Sequence, residues 1–522
     1  MSRFITAAEA SELIKDEMTV AIGGFGAYGG PDGLMQALRD RFDETGSPRN
    51  ITTVSGISPG DNTRNMVGMN RIAKEGLIKA AIAGHFGNPP LLSELAASNK
   101  IAAFPIPLGV VVHLFRAIAA RQPGYITNVG LNTYADPRNE GCKINDKARE
   151  SGREIVRLME IDGKEYLFYH SFKIDACLIR GDMADEDGNI CLKKDALHNN
   201  EAEIAEATHN CGGIVICQVE ETVKNGTLLG RDVNIHNSIV DYVVKVPREL
   251  SRQGYAQEGY HPELSGETII PTDEIEPMPL NVRKVIARRS AMELSQNCVI
   301  NLGIGLPSGV GNVANEEGIS SLLSMESGPL GGVPVEGVGF GAAINPEMII
   351  PVSDVFDMYD GGYLDVTFLG GAEIDKKGNV NVSMFGPRCT GPGGFINITQ
   401  NTPKIYFLAT FTAGKTELEI ADGELRIHKD GSIKKFVDKV QQITFSADYA
   451  RKSGQEVGYI TERAVFKLTE TGIMLTEIAP GVDLEKDILD KMDFVPEIAE
   501  DLAIMDPRLF KPEVMGIASE IS

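Results

Sequence analysis

Residues 175–192 (DACLIRGDMADEDGNICL) recur without a gap as residues 365–382 (DVTFLGGAEIDKKGNVNV), so that Gly181, Asp185, Gly188 and Asn189 fall on Gly371, Asp375, Gly378 and Asn379. Two further echoes keep the same order along the chain. Ser11–Gly24, ending Met18-Thr19-Val20-Ala21-Ile22-Gly23-Gly24, parallels Ala291–Ile304, ending Cys298-Val299-Ile300-Asn301-Leu302-Gly303-Ile304. Gly212-Gly213 before Ile214-Val215-Ile216 parallels Gly393-Gly394 before Phe395-Ile396-Asn397. The first of these pairs reads as helix, break, apolar strand and glycine turn. Three blocks in one order imply an internal duplication of an α/β unit.

The boundary between the copies is the stretch Pro247–Leu280, where Pro247, Pro262, Pro271, Pro277 and Pro279 alternate with polar and acidic residues. Such a segment resists both helix and central strand and reads as a connector at 247–280. It separates a domain at 1–246 from one at 281–522, and Asn281 is placed to cap the first helix of the second. Apolar runs such as Ile214-Val215-Ile216 and Ile405-Tyr406-Phe407-Leu408 look buried on both faces and alternate with helical stretches such as Asp32–Phe42 and Leu92–Ser98. The expected fold is therefore two related open α/β domains with largely parallel sheets. Ligands in such sheets sit at the carboxyl ends of strands, where the glycine loops fall, and a duplicated pair places its active site in the cleft between the domains.

Composition narrows the partners. With 50 basic against 73 acidic residues the net charge is −23, which disfavours nucleic acid and anionic membrane surfaces. An anionic ligand would be held by local amides and a few basic side chains. Seven scattered cysteines without a CxxC pair read as reduced thiols, with no disulfide framework and no metal site. The N-terminal segment carries a capping box, Thr6 with Glu9, rather than a signal peptide. No apolar run approaches the roughly 20 residues of a membrane helix, so the expected location is the cytoplasm.

Four glycine-rich loops hold the candidate chemistry. The first, Gly23–Pro31, spells GxGxxG at Gly24, Gly26 and Gly29. A dinucleotide site would need an acidic residue at the end of the next strand, and that strand ends Ser55-Gly56 instead. The second is Asn301–Pro307, the third follows Glu326, and the fourth is Gly391-Pro392-Gly393-Gly394. Amides in such loops could stabilise an oxyanion as a thioester carbonyl is attacked. Glu326 itself stands between an apolar strand-like run and residues without bulk, Ser327-Gly328-Pro329, where a bare carboxylate is open to act as a nucleophile. Glu316, Glu317, Glu336, Asp357 and Asp360 are rival carboxylates nearby, and a turn or cap role for Glu326 is the bland alternative. No GxSxG elbow or HExxH is present, and His85 in Gly84-His85-Phe86-Gly87 is the most loop-like histidine. Arg283, Lys284, Arg288 and Arg289 read as a solvated helix face.

Taken together, these motifs resemble the family I coenzyme A transferases along nearly the whole chain, with both subunit types fused. Val20-Ala21-Ile22, Gly23-Gly24-Phe25 and Gly29-Gly30-Pro31 resemble the first family signature. Ser324-Met325-Glu326-Ser327-Gly328 resembles the second, Ser-Glu-Asn-Gly, with Met325 and Ser327 in place of Ser and Asn. That departure is similar to the subgroup acting on acetate, propionate and lactate. Asn301–Pro307, Thr461–Phe466 and Glu477–Gly481 fit as well. The resemblance implies a ping-pong exchange in which Glu326 forms a mixed anhydride and then a CoA thioester. It implies no cofactor beyond coenzyme A as a substrate, transiently covalent on Glu326. It further implies that Gly24, Phe25, Gly393 and Gly394 shape the site, that Asn301 contacts the reacting carboxyl, and that Gly303 and Gly305 help bind substrate.

The implied partners are acyl-CoA and small carboxylates such as acetate, with a 3-keto acid donor open, and a homo-oligomer, a tetramer by analogy. An acyl-CoA hydrolase on the same fold, or a metabolite-binding protein in which Glu326 only caps a turn, are the alternatives.

Overall fold

The computed structural model describes residues 3–256, 259–271 and 278–521. In the N-terminal copy, β1 (Arg3–Phe4), β2 (Thr19–Ile22), β3 (Ile51–Ile57), β4 (Ile78–His85), β5 (Ala102–Pro105), β6 (Ala176–Asp185), β7 (Ile214–Val223) and β8 (Tyr242–Lys245) pair in parallel. Their spatial order is β1-β8-β7-β6-β2-β3-β4-β5. In the C-terminal copy, β9 (Cys298–Leu302), β10 (Ser321–Leu323), β11 (Val366–Gly370), β12 (Lys404–Leu408), β13 (Glu456–Ile460), β14 (Ala464–Leu468), β15 (Ile473–Ile478) and β16 (Glu497–Ile504) form the second sheet in the order β10-β9-β11-β12-β13-β14-β15-β16. Pairing there is parallel from β10 to β13 and antiparallel at β13–β14 and β14–β15.

The duplication is visible strand by strand, although the echo of 212–216 in 393–397 does not hold: Ile214 opens a strand, Phe395–Asn401 is a helix, and the matching strand is Lys404–Leu408. The run β8-β7-β6-β2-β3 of the first sheet has the order and direction of β13-β12-β11-β9-β10 in the second. Register agrees too: Val20 pairs with Ala176, as Ile300 pairs with Val366. The Asp175 carboxylate accepts from the Thr19 N–H at 2.9 Å, and Asp365 accepts from the Val299 N–H at 2.8 Å. Asp185 accepts from the Asn189 N–H at 2.9 Å, and Asp375 does the same from Asn379 at 3.0 Å. The glycine inside each of these turns is left-handed, Gly188 at φ +90° and Gly378 at φ +94°, which explains why the repeat retains it.

Each sheet buries an apolar layer under helices. The first core gathers Val20, Ile22, Leu34, Leu38, Ile51, Ile78, Leu178 and Ile216. The second gathers Val285, Ile286, Ile300, Val310, Val313, Phe368 and Tyr406. The helix Asp32–Thr45 presents Leu34, Met35 and Leu38 inward, and the helix Val282–Ala291 presents Val285 and Ile286. Asn281 does cap that second helix, its Oδ1 accepting from the Arg283 and Lys284 N–H groups at 2.9 and 3.2 Å. The Thr6–Glu9 capping box is present at the helix Ala7–Leu13.

Packing divides the chain differently from its halves. One compact unit holds the residues up to Ile270 together with Met325–Asp357 and Met384–Asn397; the other holds Pro271–Ser324, Met358–Ser383 and the remainder. Within the connector 247–280, residues 257–258 and 272–277 lie outside the described residues. Up to Ile270 the rest belongs to the first unit: Tyr255 donates its hydroxyl to Asp32 at 3.2 Å, and Leu264 is buried. The basic helix face corrects the sequence reading. Lys284, Arg288 and Arg289 are buried rather than solvated. Lys284 bonds Glu316 at 2.7 Å, Arg289 bonds Glu477 at 2.7 Å, and Arg288 donates to the Glu513 carbonyl at 2.8 Å. Those partners lie far away in sequence, so no local pattern announces them.

Candidate active site

Of the expected site residues, Glu326, Gly24, Phe25, Gly393 and Gly394 belong to the first compact unit, and Asn301, Gly303 and Gly305 to the second. In the first unit the nucleophile candidate rides on a tight turn. The Gly328 N–H donates to the Met325 carbonyl at 3.1 Å, and the Met325 N–H donates to the Pro329 carbonyl at 3.0 Å. The flanking side chains are anchors: Met325 is buried, and buried Ser327 donates its hydroxyl to the Gly341 carbonyl. Gly328 sits at φ +126°. The turn thus pins the residues on either side of Glu326 and leaves its side chain partly buried.

The fourth glycine loop meets that carboxylate. The Gly394 N–H hydrogen-bonds Glu326, and a Cβ on Gly394 would overlap Oε2 while standing 3.3 Å from the Phe356 ring. Glycine here is a requirement of close approach. The loop is itself fixed: the Gly393 N–H donates to the Gly84 carbonyl, and the Leu108 N–H to the Gly393 carbonyl, each at 2.9 Å. Burial pushes the Glu326 carboxyl up to about 7, against the pull of the Gly394 N–H. A carboxylate in poorly solvated surroundings is a stronger nucleophile than one in water, and near neutral pH a large share of it is ionised.

The first loop contributes shape more than amides. The Gly24 N–H donates to Glu201 Oε1 at 3.1 Å, and the Phe25 N–H donates to the Tyr28 carbonyl at 2.8 Å. Both amides are therefore engaged within the protein. The Phe25 ring instead lies against the segment that anchors Ser327, 3.7 Å from the Cβ position of Gly341. His85, half-buried, has its Nδ1 accept from the Gly87 N–H at 3.1 Å, and burial lowers it to about 4, so it serves the loop as a neutral ring.

In the second unit Asn301 is buried on β9. Its Nδ2 donates to the Ser324 carbonyl at 3.1 Å and to the Tyr359 hydroxyl at 3.2 Å. This amide braces the backbone two residues before Glu326. Gly303 and Gly305 lie on an open loop leading into the helix Ser308–Glu317, with Ile304 beside them 65% exposed. Three of the rivals of Glu326 have other duties. Glu316 pairs with Lys284, Glu317 accepts three N–H groups of Met515–Ile517, and exposed Asp357 pairs with Arg116. Sequence reading passed over Leu108, Phe356 and the buried Asn199-Asn200-Glu201 step; Phe356 lies in a helical apolar period with Val352, Val355 and Tyr359, which reads as core.

A family model described as "Coenzyme A transferase" matches residues 4–246. The chain is 45% identical to a caffeate CoA-transferase of Acetobacterium woodii, over 99% of each sequence. It is 42% identical to the acetate CoA-transferase YdiF of Escherichia coli K12, over 98% of this chain and 96% of that one. The chain belongs to the coenzyme A transferase family. Its fold agrees with the crystal structure of the acyl-CoA transferase YdiF apoenzyme from Escherichia coli O157:H7, with a TM-score of 0.93 at 41% identity, covering 99% of this chain and 97% of that one. As a fused-chain, family I CoA-transferase it carries both subunit types in one polypeptide, which accounts for the duplicated sheets. Among the described residues no helix is long and apolar enough to cross a membrane.

Proposed function

We propose that this CoA-transferase moves coenzyme A from a short-chain acyl-CoA to a small carboxylic acid such as acetate, with Glu326 as the covalent carrier. The observation that carries the reading is the Glu326–Gly394 pair: a raised carboxyl on a pinned turn, met by one backbone N–H across a glycine that cannot be larger. Ionised Glu326 attacks the thioester carbonyl, the C–S bond breaks, and a mixed anhydride and CoA thiolate result. The thiolate then attacks the glutamyl carbonyl, releasing the first acid and leaving Glu326 as a CoA thioester. An acceptor carboxylate reverses both steps. The Gly394 N–H supports the glutamyl oxygen as charge builds on it during the thiolate attack. Partial burial limits water, whose attack on either intermediate would turn transfer into hydrolysis.

A crystal structure of YdiF is described as a thioester complex with CoA, and that chain is 41% identical over 99% of this one, which supports the same intermediate here. The relative named for caffeate keeps a bulkier aromatic acid in view as the acceptor. Incubation with acetyl-CoA followed by hydroxylamine and peptide mass spectrometry tests the reading. A hydroxamate on the Glu326 peptide is expected. Labelling of another carboxylate would move the nucleophile, and product released without any acceptor acid would favour a hydrolase.

A further inference from the structure

Outside the nucleophile turn, the first unit contains a second polar cluster that its own structure leaves unsatisfied. Asn199, Asn200 and Glu201 are 6%, 3% and 1% exposed. Among the described residues, Asn199 Nδ2 and Oδ1, Asn200 Nδ2 and Glu201 Oε2 have no hydrogen-bond partner. Buried polar groups in folded proteins are nearly always paired, so three consecutive exceptions call for an account. Their position on the helix sharpens the point. Asn200 is the N-cap of the helix Glu201–Asn210, where an asparagine side chain ordinarily accepts from the first-turn N–H groups, yet it makes no such bond. The side chain is held for something else.

The surroundings show where these groups point. The Cβ position of Gly29 lies 2.8 Å from Asn199 Nδ2, and that of Gly56 lies 3.7 Å from Asn200 Nδ2 and 3.3 Å from Leu108 Cδ1. Gly29 and Gly56 make room for the amide side chains of the cluster themselves. Leu108 then forms the bridge to the nucleophile, because its N–H bonds the Gly393 carbonyl next to the residue that meets Glu326. Through Gly56 and Leu108 the cluster is thus joined to the loop that meets Glu326.

We propose that Asn199, Asn200 and Glu201 form a polar subsite of the acyl pocket that receives a hydroxyl or carbonyl oxygen carried on the acid's chain, and so select oxygen-bearing acids over plain alkanoates. The donor count supports an oxygen ligand. Burial and the nearby Asp195 charge push Glu201 up to about 8, so at neutral pH its carboxyl keeps a proton to donate beside the two amide NH₂ groups. A site built to hydrogen-bond a substrate oxygen rejects the analogue lacking it, because its own groups are then left unpaired.

The inference rests on the CoA-transfer reading, and its test separates the two. With acetyl-CoA as donor, kcat/KM is measured for propionate and for its 2-hydroxy and 3-hydroxy derivatives, in the wild type, Asn199→Leu and the near-isosteric Asn200→Asp. The ratio of the better hydroxy acid to propionate should fall at least tenfold in both variants. A ratio within twofold of wild type would overturn the subsite. Equal losses on all three acids would make the cluster a scaffold, and overturn it too. Folding is checked by circular dichroism, and Asn200→Asp keeps the shape if Asn199→Leu does not fold. If the wild type formed no glutamyl-CoA, the transfer reading would fail instead. Calorimetric binding of the same acids to wild type and Asn200→Asp would then decide the subsite by the same ratio.

Discussion

The two copies of the α/β unit carry a glycine turn at the same place, and they use it in opposite ways. Both follow a strand whose first residues are tied to an aspartate, Asp175 in one copy and Asp365 in the other. In the first, the turn closes on itself: Phe25 and Tyr28 exchange backbone hydrogen bonds at 2.8 and 2.9 Å, and the whole stretch Gly23–Gly30 is buried. In the second, Gly303-Ile304-Gly305 stands open, and a Cβ on Gly305 would meet nothing within 4 Å. The next strands diverge as well. After β3 come the buried residues Ser58-Pro59-Gly60, whereas after β10 comes the turn of Glu326. Duplication preserved the paired strands, whose register the buried faces dictate, and left the loops free to take separate roles. One copy's loop closes on itself, and the other's next turn carries Glu326, the proposed nucleophile.

Breaking that division of labour should have its largest effect at Glu326. Glu326→Gln removes the nucleophile and keeps the shape, so transfer should fall by about 10⁴-fold or more, with no adduct in the mass spectrum. Residual transfer within tenfold of wild type would show that the copies share the chemistry differently. Next comes Gly394→Ala. The added methyl would displace the flexible end of Glu326 rather than backbone, so the fold should survive while kcat falls by about 10²–10³-fold. An active, well-folded Gly394→Ala enzyme would remove that glycine from the site.

Gly24→Ala tests the scaffold side. Gly24 has φ +98°, and its Cβ would lie 3.0 Å from both Gly30 N and the Tyr28 carbonyl oxygen, neither of which can give way cheaply. A loss of about 3 kcal/mol in stability is expected, read by chemical denaturation, because left-handed strain and a backbone clash add. A loss below about 1 kcal/mol would mean that the first loop is as free as the second.

How far the sequence could be read follows the same division. The repeat 175–192 against 365–382 foretold both sheets because its conserved aspartates, glycines and asparagines do local work: each closes a turn within a few residues. Glu326 stands out as a candidate for a related reason, since the residues without bulk that follow it are its neighbours. What escaped was what distant segments bring together. The Gly394 N–H, the Phe356 ring and the Leu108 bridge reach the nucleophile from elsewhere in the chain, and nothing adjacent to Glu326 encodes them. The basic helix Val282–Ala291 failed for that reason too, because Glu316 and Glu477 neutralise it across long separations. Asn301 was legible as important but not as a brace, since its bond to the Ser324 carbonyl depends on pairing between β9 and β10.

A smaller effect is expected from pH. Glu326 ionises at about 7 in the folded protein against its ordinary 4.5. Below pH 4.5 it is protonated in both states and costs nothing. Between 4.5 and 7 the unfolded chain loses that proton first, so stability falls as pH rises and stays reduced above 7. Allowing for partial exposure, Glu326→Gln should stabilise the protein by about 2 kcal/mol at pH 8 and by nothing at pH 4. The kcat/KM of the wild type should rise through the same pH range as the nucleophile ionises. A variant no more stable at pH 8 than at pH 4 would mean the carboxylate is well solvated.

The smallest effect belongs to Gly305→Ala. Its φ of +87° is costly for alanine, yet no atom lies where the methyl would go. Backbone strain alone then remains, about 1 kcal/mol, and kcat should be kept because the added methyl meets no atom within 4 Å. If this loop holds substrate, as the family resemblance implies, the change should appear in KM for acyl-CoA by about two- to fivefold while KM for the acceptor acid is untouched. Ping-pong kinetics allow that separation, since donor and acceptor are varied independently. A fall in kcat as large as that of Gly394→Ala would show that the open loop takes part in the bond-making steps, and that the two copies share the chemistry after all.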